Sequence, residues 1–177
     1  MATIDLIVLG MLKNESLSAY DLQKLVEYRH ISRWVKISTP SIYKKVLQLE
    51  EKGYITSTTT PGKLKTAEKA VYSLTEAGEE AFQRLMQEIA SSPIRIFLDL
   101  NAVIVNLPSL PPQEQKLCLA HITENLQTLH SYLEDNLREK EDLPQIPATG
   151  LAVLRQQLLL TQALEDWLAE LGESLTL

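Results

Sequence analysis

Ile4, Leu6, Ile7, Val8, Leu9, Met11 and Leu12 make residues 4–12 apolar almost all round, which predicts a short buried helix. Ser18-Ala19-Tyr20-Asp21 has the spacing of a capping box, with Asp in place of the usual Glu. It predicts a second helix with Leu22, Leu25 and Val26 as its buried stripe, fraying near Arg29-His30. A third helix is framed by Thr39 as cap, Pro40 in the first turn and Gly53 at the C-terminal cap. Ile42, Val46 and Leu49 repeat at i, i+4, i+7 and are expected to face the core. Ser41, Lys44, Lys45, Gln48 and Lys52 are expected to share the opposite side.

The period then changes from helical to alternating. Tyr54 to Thr59 and Ala70 to Leu74 are rich in Thr, Tyr and Val and predict two strands. Thr60-Pro61-Gly62 breaks the first, and a basic loop over residues 60–69 carries Lys63 and Lys65 near its tip. Thr75 followed by Glu76, Glu79 and Glu80 starts another helix, which continues through Phe82, Leu85 and Ile89 to a break at Pro93. Three further helices are predicted, over roughly 94–107, 112–141 and 149–172, separated by Pro108, Pro111 and Pro112 and by Pro144, Pro147 and Gly150.

Leu119, Ile122, Leu126, Leu129, Leu133 and Leu137 form an a/d-like seam in the second of these. The last helix carries Val153, Leu160, Leu164, Trp167 and Leu171 in similar phase. Leu154, Leu158, Leu159 and Leu168 lie on neighbouring faces. Helices this apolar need more than one partner surface, and the seam residues Leu119, Ile122, Leu126, Leu129, Leu133, Leu160, Leu164, Trp167 and Leu171 are expected at a subunit interface. Packing within one chain is the other reading.

Charge changes the picture. The net charge of −6 argues against a nucleic-acid partner, but its distribution does not. Residues 13–69 hold 11 Lys and Arg against 6 Asp and Glu, which leaves 6 basic against 17 acidic residues in the rest of the chain. One segment is thus suited to meet an anion, while the remainder supplies solubility or assembly. On the third helix, Lys44 and Lys45 suit phosphates, while Ser41, Gln48 and Tyr43 suit base edges. Lys63 and Lys65 would reach the DNA backbone from the hairpin. A solvated amphipathic helix is the bland reading of the same residues.

Other chemistry finds little support. There is no Gly-rich phosphate loop. His30, His121 and His130 are scattered, with no metal-ligand spacing. Cys118 is the only cysteine and excludes an intrachain disulfide, in keeping with a reducing cytoplasm. No stretch approaches a membrane span, and the first residues lack the features of a signal peptide. Neither an enzyme nor a cofactor is expected.

Four pieces together resemble the PadR family of bacterial transcriptional regulators. They are Ala19-Tyr20-Asp21-Leu22, Trp34 with Ser41-Ile42-Tyr43, Leu47 to Ile55, and Tyr72-Ser73-Leu74-Thr75-Glu76-Ala77-Gly78. The resemblance covers residues 4–90 in detail and the rest only as long helices with Leu seams. It implies a mostly α fold: a winged helix-turn-helix DNA-binding domain over 1–90, with a β-hairpin wing, and a helical dimerisation domain over 91–177. It also implies a cytoplasmic homodimer that binds a roughly palindromic double-stranded operator and usually represses. The third helix would enter the major groove, with Thr39, Ser41, Tyr43, Lys44, Lys45 and Gln48 at or near DNA and Lys63 and Lys65 on the wing. Tyr43 either reaches the DNA or packs with Leu47 one turn later. Trp34 either lines a pocket for a small aromatic effector or serves as a core or interface residue. A winged helix that docks an acidic protein is the rival to DNA binding.

Overall fold

The computed structural model describes residues 2–35, 39–61, 68–144 and 146–174. They divide into two compact units, Met1–Ile94 and Arg95–Leu177. The N-terminal unit runs α1 (Ala2–Leu12), α2 (Ala19–Tyr28), a 3-10 turn (Ile31–Arg33), α3 (Thr39–Glu51), β1 (Ile55–Pro61), β2 (Glu68–Leu74) and α4 (Glu76–Ala90). This is a winged helix: mostly α, with one antiparallel hairpin.

Local signals set the boundaries. Ser18 caps α2 through a reciprocal box, accepting from the Asp21 N–H while Asp21 accepts from the Ser18 N–H. The chain leaves α2 through His30, whose φ of 50° lies in the left-handed region. Gly53, at φ 74°, ends α3 in a conformation that glycine adopts without a Cβ penalty. The hairpin pairs Ile55 with Leu74 through Pro61 with Glu68, so its strands run further toward the tip than the sequence suggests. Pro61 sits at the strand end, where its missing N–H costs little. Leu17 adds a bridge to Tyr72, each N–H donating to the other's carbonyl, which ties the segment before α2 to the wing.

One hydroxyl joins three elements. Thr75 accepts from the Gly78 N–H at 3.1 Å, capping α4, and donates to the Gly53 carbonyl at 2.7 Å, at the end of α3. The Thr75 N–H donates to the Tyr54 carbonyl. Gly78 leaves no room for a side chain here, since a Cβ would lie 1.9 Å from the Tyr54 carbonyl oxygen.

Val8, Leu9, Leu12, Leu22, Val26, Ile31, Ile42, Val46, Leu49, Ile55 and Tyr72 form the core of this unit. The apolar run of α1 and the i, i+4, i+7 stripe of α3 thus meet as expected. Burial pushes the Tyr72 phenol above its ordinary range. Each fully buried Leu or Ile contributes roughly 1.5–3 kcal/mol relative to exposure, which is ample to hold three short helices against a hairpin.

The C-terminal unit holds α5 (Leu100–Asn106), a 3-10 turn (Leu107–Ser109), α6 (Pro112–Lys140) and α7 (Ala148–Ser174). The helix expected over 94–107 starts only at Leu100, because residues 93–98 are irregular. Within that stretch Ile96 and Phe97 are 70% and 81% exposed. Helices α6 and α7 fold back on each other through the short 141–147 connection. His130 Nδ1 on α6 lies 2.7 Å from Glu165 Oε2 on α7. Among the described residues, no helix is long and apolar enough to cross a membrane, and no group of three His, Cys, Asp or Glu residues could hold a metal ion.

Candidate nucleic-acid interface

Helix α3 has one face in the core and one in solvent. Ile42, Val46 and Leu49 are fully buried. With about 100° of turn per residue, the direction opposite to them passes between Lys44 and Leu47. Both are exposed, Tyr43 beside them is 60% exposed, and Gln48 and Ser41 are partly covered on the other flank. Tyr43 is therefore not a core residue. Among the described residues Lys44 makes no ion pair, so its ammonium is available to a phosphate.

Lys45 is the main correction. Expected on the DNA face, it is only 7% exposed, and its Nζ lies 2.6 Å from Asp5 Oδ1 on α1. The helical wheel explains this: position 45 follows Ile42 by three and precedes Leu49 by four, so it shares their face. Lys52 Nζ stands 3.7 Å from Asp5 Oδ2. Asp5 Oδ1 makes no other hydrogen bond among the described groups, so the lysine is its compensation. A buried lysine without its carboxylate would be strongly unfavourable, which makes this pair a requirement for seating α3 on α1.

The remaining sequence candidates fall as follows. Thr39 begins α3 by its backbone, and its side chain lies outside the described residues. Lys63 and Lys65 also lie outside the described residues. Trp34 closes the 3-10 turn and is 42% exposed, so it is not a core residue of this unit.

In the C-terminal unit, Leu126 and Leu133 are 6% and 2% exposed within a single chain. Their assignment to a subunit interface is corrected: the pairing of α6 with α7 already covers them. Leu119, Ile122, Leu164, Trp167 and Leu171 are half-buried, while Leu129 and Leu160 remain exposed. The exposed apolar row also includes Leu117 and Leu159, which the seam did not include. Leu47, which the sequence offers as a packing neighbour for Tyr43, also lies on the outer face of α3. Its place near the outward direction of the α3 wheel was the available signal.

Residues 8–84 match the Transcriptional regulator PadR-like family. Sequence comparison with curated proteins finds no match. Among solved structures, Bacillus subtilis PadR in complex with operator DNA superposes with a TM-score of 0.80 at 22% identity, covering 96% of each chain. Bacillus subtilis PadR in complex with p-coumaric acid gives 0.80 at 20% identity, covering 98% of this chain and 99% of that one. The Vibrio cholerae virulence activator AphA gives 0.73 at 21% identity over 98% of both chains. At these identities the likeness establishes the fold. The chain thus resembles PadR-like transcriptional regulators in sequence over residues 8–84 and in fold over nearly its whole length.

Proposed function

We propose that this protein is a cytoplasmic, homodimeric, sequence-specific DNA-binding repressor whose α3 enters the major groove. One observation carries the reading. The inner face of α3 is fixed to the core and to Asp5, while its outer face presents Lys44, Tyr43, Leu47 and Gln48 together. A rigid helix with a cation among groove-sized side chains is what base reading requires. Lys44 neutralises a phosphate, Ser41 and Gln48 offer hydrogen bonds, and Lys63 and Lys65 would contribute from the wing. The operator-bound Bacillus subtilis PadR supports the same use of this fold.

The exposed Leu117, Leu129, Leu159 and Leu160 support self-association through the C-terminal unit. A homodimer would set two copies of α3 about 34 Å apart, one DNA turn, on a palindrome. Repression is the sense that the resemblance carries. AphA, an activator with this fold, shows that the architecture alone does not fix it. An aromatic effector would need a ring contact, and Trp34 is the residue this sequence offers for one.

Selection of binding duplexes from a randomised library, followed by a salt titration, tests the reading. The expected result is a palindromic site whose affinity falls linearly with log salt, with Lys44→Gln reducing the slope by about one. No enriched duplex at low salt would favour a protein-docking module instead. A reporter downstream of the selected site distinguishes repression from activation.

A further inference from the structure

We infer that Leu47 is a specificity residue that reads a thymine methyl group, so that each half-site places a thymine under the middle turn of α3. The inference rests on the DNA-binding reading above and deepens it.

Leu47 is 46% exposed near the centre of the outward face of a helix whose inner positions are fully buried. Nothing in the fold requires an apolar side chain there, because Ile42, Val46 and Leu49 already complete the inner stripe. Its neighbours identify the occupant. Lys44 lies one turn before it, uncommitted to any ion pair among the described residues, which brings an anionic surface against this face. Gln48 follows immediately, with the amide that pairs with adenine N6 and N7 in the major groove. Glu51 shares the exposed face one turn later and accepts hydrogen bonds without offering apolar contact. Within the major groove, the C5-methyl of thymine is the apolar group on a base edge, and an aliphatic side chain is its matching partner. An exposed Leu flanked by a phosphate-seeking Lys and an adenine-seeking Gln therefore fits an A·T-containing step.

Deoxyuridine provides the test, since it lacks only the methyl and keeps the base-pairing edge and the O4 acceptor of thymine. The full-length protein is bound to the duplex recovered by selection, with each thymine replaced in turn by deoxyuridine in both half-sites. The expected result is one position per half-site at which replacement weakens binding about fourfold, the worth of one buried methyl-sized group. Leu47→Ala should bind the thymine duplex more weakly and no longer distinguish thymine from deoxyuridine at that position. Leu47→Met should restore the distinction. Uniform tolerance of deoxyuridine, or a Leu47→Ala protein that keeps the same sensitivity, overturns the inference and leaves DNA binding intact. Failure of the selection to enrich any duplex overturns both.

Discussion

The two units solve the problem of burial in opposite ways. The N-terminal unit closes its own core, with α1, α2, α3 and β2 all contributing residues of negligible exposure. The C-terminal unit spends two long helices on a thin intrachain contact around Leu126, Leu133, Thr161 and Leu168, and leaves other leucines in solvent. Folding free energy thus resides locally in one unit. In the other it is expected to depend on a second copy, so its apparent stability should rise with protein concentration. Under the proposed function the difference follows from need: a reading head would have to hold a helix still, and an assembly element would have to keep apolar surface for a partner.

The largest expected break in this comparison comes from the N-terminal unit. Asp5→Ala should cost about 3–5 kcal/mol in denaturant unfolding, because it leaves Lys45 buried without its partner. Asp5→Ala combined with Lys45→Met should recover most of the loss, since an apolar side chain of similar length suits the site. An equal loss in the double variant would show that the ion pair is not what seats α3.

Next comes the C-terminal unit. Leu159→Lys should raise the dimer dissociation constant at least tenfold, roughly 1.4 kcal/mol, in analytical ultracentrifugation. Unfolding of the N-terminal core should not change. An unchanged dimer would move the interface elsewhere.

Thr75→Ala should cost about 1–2 kcal/mol, because it removes the cap of α4 and the donor to the Gly53 carbonyl together. The smallest effect belongs to Glu79, whose carboxylate is hydrogen-bonded by Lys13. That bond holds its carboxyl below the usual value of 4.5. A lowered folded pKa contributes stability above pH 4.5 that is lost as pH falls through the folded value. Glu79→Gln should therefore be slightly less stable than the parent at neutral pH and indistinguishable from it in strong acid, as seen by thermal unfolding.

Much of the fold was legible because its signals are local. Ser18 with Asp21, Thr75 with its following acids, and Gly53 mark boundaries through hydrogen bonds within a few residues. The α3 stripe was legible because a helix has a fixed period. Lys45 departs from the outer face because its position on that period, three after Ile42 and four before Leu49, outweighs its residue type. The compensating carboxylate sits forty residues away, where no local rule reaches. Asp5 inside an otherwise apolar α1 is the sign that the sequence carries, since an acid in a buried helix needs a cation. In the C-terminal unit, a Leu seam shows that a surface is covered but not by what. Leu126 and Leu133 are covered by their own chain, and Leu129 and Leu160 are not. The candidate site was half legible for the same reason: Tyr43, Lys44 and Gln48 declare themselves by type, whereas Leu47 does so only by exposure.

The Thr75 hydroxyl, held between the Gly53 carbonyl and the Gly78 N–H, has a mechanical consequence. It sits where α3 ends, β2 finishes and α4 begins, and Gly78 is pressed against the carbonyl just before β1. The base of the wing, the end of α3 and the start of α4 therefore meet at one hydrogen-bonded point. A displacement at the base of the wing is expected to reach the end of α3 and the start of α4 together, through the bonds that Thr75 makes to both.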